Sequence, residues 1–301
     1  MYAPVCLFTY NRLGETKETV EALSKNFLAQ DSMLIIFSDG PKRVEDIEKV
    51  AEVRNYLKQV SGFKTIKIIE SEVNQGLANS IIGGVTKVLK EYHKVIVVED
   101  DLISAPNFLN FMNEALDFYE DSKKVFSISG FTMQLKSLPN YQKDYYLSYR
   151  SASWGWATWQ DRWEAIDWEV KDYSRFKWNL VEQWRFMRGG SDLPLMLWKQ
   201  MNGYLDSWAI RWTYHQFRND LYSVRPSRNK IVNIGTSGDA THTKKLVQRH
   251  VVELEEVDQT DFQFDSVLVA NKKIINESKY MHSFFNRLVD RLRVLYSDCL
   301  H

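Results

Sequence analysis

Along the chain, short runs of β-branched and apolar residues alternate with longer stretches that carry an apolar stripe at helical spacing. Residues 5–10, 33–37, 63–70 and 94–98 read as strands; Lys94-Val95-Ile96-Val97-Val98 in particular is apolar at consecutive positions, the pattern of a strand buried on both faces. Between them, residues 15–29 place Val20, Leu23 and Phe27 on one stripe. Residues 44–60 do the same with Ile47, Val50, Val53, Tyr56 and Leu57, and a third helix runs from about Asn74 to Tyr92. This βαβαβαβ series predicts an α/β protein with a mostly parallel sheet flanked by helices. The order of the strands in that sheet is not legible from the pattern. A further strand is expected at 125–130, and an aromatic helix follows Leu205-Asp206-Ser207-Trp208.

The strand ends share one chemistry. Thr9-Tyr10-Asn11-Arg12 closes the first strand and Asp39 follows the second; Asn74 and Gly76 follow the third, with Asn79 just beyond; Glu99, Asp100 and Asp101 close the fourth. Any one of these is an ordinary turn former. In an open α/β sheet, however, ligands bind beyond the carboxyl ends of the strands, so four consecutive polar ends describe a pocket. Arg12 suits a phosphate, and Asp39 can accept from a base imide or a ribose hydroxyl. Three adjacent carboxylates suit a hard divalent cation. Together they imply a nucleoside diphosphate with a metal ion.

Composition narrows the class. The chain has 301 residues, 44% of them hydrophobic, and a net charge of zero, which provides ample core and excludes the basic surplus of a general nucleic-acid binder. Cys6 and Cys299 are too few and too distant for a disulfide framework or a thiolate metal site. Met1 runs straight into a strand with no signal peptide, and no apolar run is long enough to span a bilayer; the expectation is a cytoplasmic protein, either free or at the inner face of the plasma membrane.

Thr9-Tyr10-Asn11-Arg12 resembles the opening of family-two glycosyltransferases, and Asn74-Gln75-Gly76-Leu77-Ala78 resembles their second signature; Asn79 stands where those enzymes often have a basic residue. The run from Glu99 to Phe108 resembles the metal-binding segment of the N-acetylglucosaminyltransferase I family, with its Glu-Asp-Asp-Leu and Ala-Pro elements. The resemblance covers roughly residues 1–245 and implies a GT-A type, Rossmann-like fold. It also implies that Asp101 contacts Mn2+ (or Mg2+), that Glu99 and Asp100 lie near the ribose and the metal's water shell, and that Arg12 and Asp39 contact the nucleotide.

The middle of the chain is aromatic, with all ten tryptophans between Trp154 and Trp212. Most such residues belong to a core. Trp154-Gly155-Trp156 reads instead as a tight loop with an exposed face, on which a sugar can stack. It resembles the Gly-Trp element that borders donor sugar and acceptor in the same family. Asp206 is either a helix N-cap or a general base, the role its place in the family pattern implies, with Asp192, Asp161 and Asp167 as alternatives. Gly235 to His242 reads as a lid loop, with His242 a metal or diphosphate ligand or a plain loop residue. The tail, residues 279–295, carries Met281, Phe284, Phe285, Leu288, Leu292 and Leu295 on one stripe among arginines, suited to packing on the body or to lying on an anionic membrane.

The expectation is therefore an inverting, metal-dependent hexosyl- or N-acetylhexosaminyltransferase. It would use a nucleotide-sugar donor, most simply a uridine diphosphate sugar, and a glycan or lipid-linked glycan acceptor, in bacterial surface polysaccharide synthesis. Residues 1–130 would form the donor half, 131–245 the aromatic-rich acceptor half and 246–301 an extension. A sugar nucleotidyltransferase is the first alternative, disfavoured by the lack of glycine in Thr9 to Arg12. A non-catalytic glycan-binding module is the second, and it leaves the carboxylates without a purpose.

Overall fold

The computed structural model describes residues 1–235, 252–255 and 259–289. The first half runs β1 (Val5–Thr9), α1 (Leu13–Ser24), β2 (Met33–Ser38), α2 (Asp46–Leu57), β3 (Thr65–Glu70), α3 (Leu77–Tyr92) and β4 (Lys94–Glu99). There follow β5 (Leu102–Ser104), α4 (Phe108–Phe118), β6 (Val125–Ser129), β7 (Tyr145–Ser148), β8 (Trp156–Trp159) and α5 (Gln160–Glu164). A helical layer, α6 (Tyr173–Phe176), α7 (Leu180–Phe186), α8 (Leu193–Met201) and α9 (Trp208–Arg218), precedes β9 (Tyr222–Pro226) and β10 (Ile231–Asn233); α10 spans Lys272–Met281.

Among the described residues one sheet has eight strands, in the order β3-β2-β1-β4-β8-β6-β9-β7. The first four are parallel to one another, and only β8 and β7 oppose the common direction. This is the mostly parallel, Rossmann-like α/β sheet flanked by helices that was expected, with an aromatic-rich second half. Alternation along the central strands divides the core. Val5, Leu7, Ile96 and Val98 face the layer of α1, α2 and α4, while Cys6, Phe8, Val95 and Val97 face α3 and the tryptophans. Both faces are covered, which is why β4 reads as a continuous apolar run.

Two boundaries differ from the pattern for identifiable reasons. The first helix stops at Ser24, so Phe27 lies beyond it and is exposed, while Val20 and Leu23 are buried as expected. The tail is not one helix from residue 279: α10 ends at Met281 and the chain turns at His282 and Ser283 before helical residues 284–289. His282 is buried beside Gly190 and cannot keep the solvent-facing stripe in phase. Phe284, Phe285 and Leu288 are exposed, and Leu292 and Leu295 lie outside the described residues.

Candidate functional site

Because β1 to β4 are parallel, their carboxyl ends meet at one edge, and the polar residues after each strand meet with them. Asp100 and Asp101 form the turn between β4 and β5. Buried Thr19 of α1 fixes that turn, donating to the Asp100 carbonyl (2.9 Å) and accepting from the Leu102 N–H (3.2 Å). Arg12, in the N-cap position of α1, reaches across from β1: Nη2 donates to Asp100 Oδ1 and to Asp101 Oδ2, the latter at 3.0 Å. The Tyr10 N–H also donates to Asp100, at 3.4 Å.

A small second sheet covers the turn. β5 pairs antiparallel with β10, setting Leu102 against Asn233. Asn233 Nδ2 then donates to Asp101 Oδ1 (3.0 Å) and the Ile234 N–H to the Asp101 carbonyl (2.8 Å). A Cβ on Gly235, the next residue, would sit 2.1 Å from Asp101 Oδ2, so any side chain there would displace the carboxylate. Thr19 and Asn233 were not foreseen, because nothing local marks a threonine in a helix or an asparagine after a short strand as a contact of residues 80 to 130 positions away.

Among the described residues, three carboxylates here face one guanidinium. Burial, reinforced by Asp101 and Asp100 and only partly countered by Arg12, pushes the Glu99 carboxyl up to about 8. Burial likewise outweighs Arg12 at Asp100 and pushes it up to about 6. Burial alone would weaken the Arg12 charge, but Asp100 and Asp101 outweigh it and hold the guanidinium above its ordinary value. The site thus stores excess negative charge. Among the described residues no three His, Cys, Asp or Glu side chains are arranged to hold a metal by themselves. Asp101 suits a divalent cation as a single protein ligand, its other oxygens then coming from a bound ligand and water.

Asp39 occupies the expected edge in an unexpected role. Its Oδ1 accepts from the N–H groups of Gly40 (2.9 Å) and Gln75 (2.8 Å), and its Oδ2 from Asn74 Nδ2 (3.1 Å) and the Gly76 N–H (3.1 Å). Four donors satisfy the carboxylate, so it fixes the Asn74–Gly76 loop at the start of α3 rather than waiting for a base imide. Asn79 is exposed one turn further on, and Asn11 donates to Asp46 at 2.9 Å. Thr9 is buried at the end of β1.

The Trp154–Trp156 segment needs a correction. Gly155 does make a tight turn, with φ +53°, and its carbonyl accepts from the Gly130 N–H. Trp156, however, is fully buried: β8 lies between β4 and β6, so its side chain must enter a covered face, where it stacks on Trp163 at 5.5 Å and meets Trp212 at 4.5 Å. It cannot stack on a sugar. Trp154 remains half-buried against Phe131. Gly155 packs against Ile231 of β10, which brings this loop beside the cover of Asp101.

The acids proposed as bases separate clearly. Asp161 follows Trp159, which pairs with Lys94 at the start of β4, so it lies at the opposite edge of the sheet, bound to Lys123 and Arg162. Asp192 is buried in a two-pronged ion pair with Arg150 (2.8 and 2.9 Å), which overcomes burial and holds its carboxyl well below the usual range. Asp167 shapes a turn by accepting from the N–H groups of Glu169 and Lys171. Asp206 is exposed, and it is Ser207, not Asp206, whose side chain caps α9. α9 leads into β9, whose first residue is level with Val125 at the start of β6, so the other end of α9 lies at the carboxyl edge. Trp208 there meets Trp156, the partner of Val97, at 5.0 Å. Asp206 is therefore on the same edge as Glu99 to Asp101. His242 lies outside the described residues.

No protein family and no curated protein matches the sequence. Among solved structures, S. aureus TarS 1–349 is 11% identical, with 78% of this chain and 61% of that one covered and a TM-score of 0.44. The same protein in complex with UDP is 18% identical over 43% of this chain and 35% of that one, TM-score 0.31. The mannosyltransferase PcManGT of Pyrobaculum calidifontis, in complex with GDP-Man and Mn2+, is 11% identical over 54% and 46%, TM-score 0.37. The chain spans less than two thirds of the length of each. Likeness at this level carries no chemistry over to this chain.

Proposed function

We propose that this chain is a glycosyltransferase that moves a sugar from a nucleotide-diphosphate donor, a uridine diphosphate sugar in the simplest case, to a hydroxyl of a glycan or lipid-linked glycan, with inversion. The observation that carries the reading is the triplet Glu99, Asp100 and Asp101 at the end of the central strand, set among the described residues against the single guanidinium of Arg12. A fold that stores uncompensated charge in a crevice is prepared for a ligand that brings the opposite charge. The resemblance of residues 9–12, 74–78 and 99–108 to two transferase families supports the same conclusion.

In this reading Asp101 holds Mn2+ or Mg2+, and a bound cation offsets charge on the leaving diphosphate. Arg12 adds positive charge on the same side as it exchanges a carboxylate for phosphate. Asp39 works through the backbone, keeping the Asn74–Gly76 loop and the positive end of α3 directed at the crevice. Trp154 and Gly155 border the sugar. Asp206 is the base: exposed, on the correct edge and free of the ion pairs that occupy Asp161 and Asp192, it takes the proton of the attacking hydroxyl. Residues 1–130 are then the donor half, 131–245 the acceptor half, and 246–301 an extension.

Incubation with a panel of nucleotide sugars, with and without Mn2+, and measurement of released nucleotide tests this. Cation-dependent release from one donor is expected. No release from any donor, together with no donor binding by calorimetry, would overturn the reading.

A further inference from the structure

The layer of α6, α7 and α8 over α9 has an inner side of the usual kind. Phe176, Phe186, Leu193 and Leu197 pack on Ile210, Tyr214 and Phe217. Its outer side is not polar. Trp178, Leu180, Val181 and Trp184 are exposed by 80, 77, 66 and 69%, and nothing described covers them. Leu180, Val181 and Trp184 share the face of α7 opposite buried Phe186. On α8, which buries Leu193 and Leu197 in the same inner core, Trp198 is turned outward and stacks on exposed Tyr204 at 5.4 Å. A stable fold of this size has no need of so many bare aromatics in one layer.

The charges around them sort by direction. Asp172 and Glu182 both turn to Arg218, at 3.0 and 3.1 Å, and Asp192 is buried against Arg150. Arg175, Lys177 and Lys199 are exposed and, among the described residues, pair with no carboxylate. Asp172, Glu182 and Asp192 are thus neutralised inward, Asp206 beyond α8 is exposed, and Arg175, Lys177 and Lys199 lie beside the apolar face without a carboxylate partner among the described residues.

We propose that the outer face of α7 and α8 is a membrane-contact surface for anionic lipid. Tryptophan and tyrosine favour the boundary between headgroups and acyl chains, aliphatic side chains insert beneath it, and lysine and arginine are drawn to anionic headgroups. A second copy of the chain fits less well, because a two-fold contact would bring together two copies of a face that carries unpaired cations, with no excess of carboxylates to meet them. A folded acidic partner would need sockets matched to four projecting side chains, whereas a headgroup layer yields around them. The inference stands apart from the transferase reading. If both hold, docking brings Asp206, five residues beyond α8, toward an acceptor carried on lipid.

Co-sedimentation of the full chain with vesicles tests it, using phosphatidylcholine alone and phosphatidylcholine with roughly one-third phosphatidylglycerol. The chain should pellet with the anionic vesicles and not with the neutral ones. Replacing Trp178→Ser and Trp184→Ser together should lower partitioning by about tenfold or more, and so should Lys177→Glu with Lys199→Glu. All four side chains are exposed, so far-UV circular dichroism should be unchanged, and either pair suffices if the other misfolds. The proposal is overturned by no pelleting, by equal pelleting with neutral vesicles, or by unchanged pelleting of well-folded variants. It is equally overturned by loss only in Phe284→Ser with Phe285→Ser, which moves the contact to the tail, or by a dimer that the tryptophan changes dissolve without any vesicle binding.

Discussion

In the parallel half of the sheet, β4 ends in three carboxylates that, among the described residues, face the single guanidinium of Arg12, and burial with mutual repulsion pushes Glu99 and Asp100 upward. In the mixed half, Asp192 sits in a buried, two-pronged pair with Arg150 and is held below its usual range, and Asp161 and Asp172 each have a cationic partner. The same residue type therefore does opposite things about sixty to ninety positions apart. Matched acids in the second half hold helices and turns together. Acids of the first half repel one another beside Arg12, and in the proposed function a cationic ligand offsets that repulsion. Proximity to aromatic residues, which drew attention to the second half, is a poorer guide to chemistry than the balance of charge.

Four substitutions test that contrast. The largest effect is expected at Asp101, where Asp101→Ala should remove Mn2+-dependent donor binding altogether; calorimetry with nucleoside diphosphate and Mn2+ measures it, and unchanged affinity would sink the cation assignment. Next is Asp206→Asn, which should lower kcat by roughly two to four orders of magnitude while donor affinity stays nearly constant. Ser207 already caps α9, so a loss through capping is not expected, and near-normal turnover would remove Asp206 as the base.

In the mixed half, Asp192→Asn leaves Arg150 buried without its charged partner and should cost about 3 to 5 kcal/mol in urea unfolding at neutral pH. The pH dependence has a definite sign. The folded carboxyl lies below its ordinary value of 3.8, so its contribution is fully present above that pH and is lost as the pH falls below it. The variant should therefore show a flatter loss of stability on acidification than the parent; parallel acid limbs would refute the pairing. The smallest effect is at Glu99. With its carboxyl pushed up to about 8, Glu99 must take up a proton when the chain folds at neutral pH. Glu99→Gln removes that requirement and should raise the stability of the ligand-free protein by about 1 kcal/mol at pH 7, visible as a higher Tm, while donor binding weakens. A lower Tm would mean that Glu99 is already compensated.

Much of the first half was legible because its physics is local. Val95 to Val98 must be buried on both faces whatever their neighbours, and a strand–helix repeat can hardly close except as a parallel sheet. Parallel strands then carry Arg12, Asp39, Asn74 and Glu99 to Asp101 to one edge without further information. Less of the second half could be read. β5 and β10 have three residues each, too few for a periodic signal, and they find each other across more than a hundred positions. Trp154 and Trp156 look alike in sequence, and only the insertion of β8 between β4 and β6 separates a half-buried loop residue from a core residue.

What the sequence determined by itself was the class of fold, the edge that bears the crevice and the acidic character of that edge, since burial periodicity and the identity of side chains are properties of short segments. What only the tertiary structure decided was which acid is compensated by which base. Asp39 became a scaffold for the Asn74–Gly76 loop, Asp192 a partner of Arg150, Asp161 a residue of the far edge, and Arg12 a counter-charge shared by Asp100 and Asp101. Ion pairing depends on distances of a few ångströms between residues far apart in the chain, and those distances exist only after the strands have chosen their order.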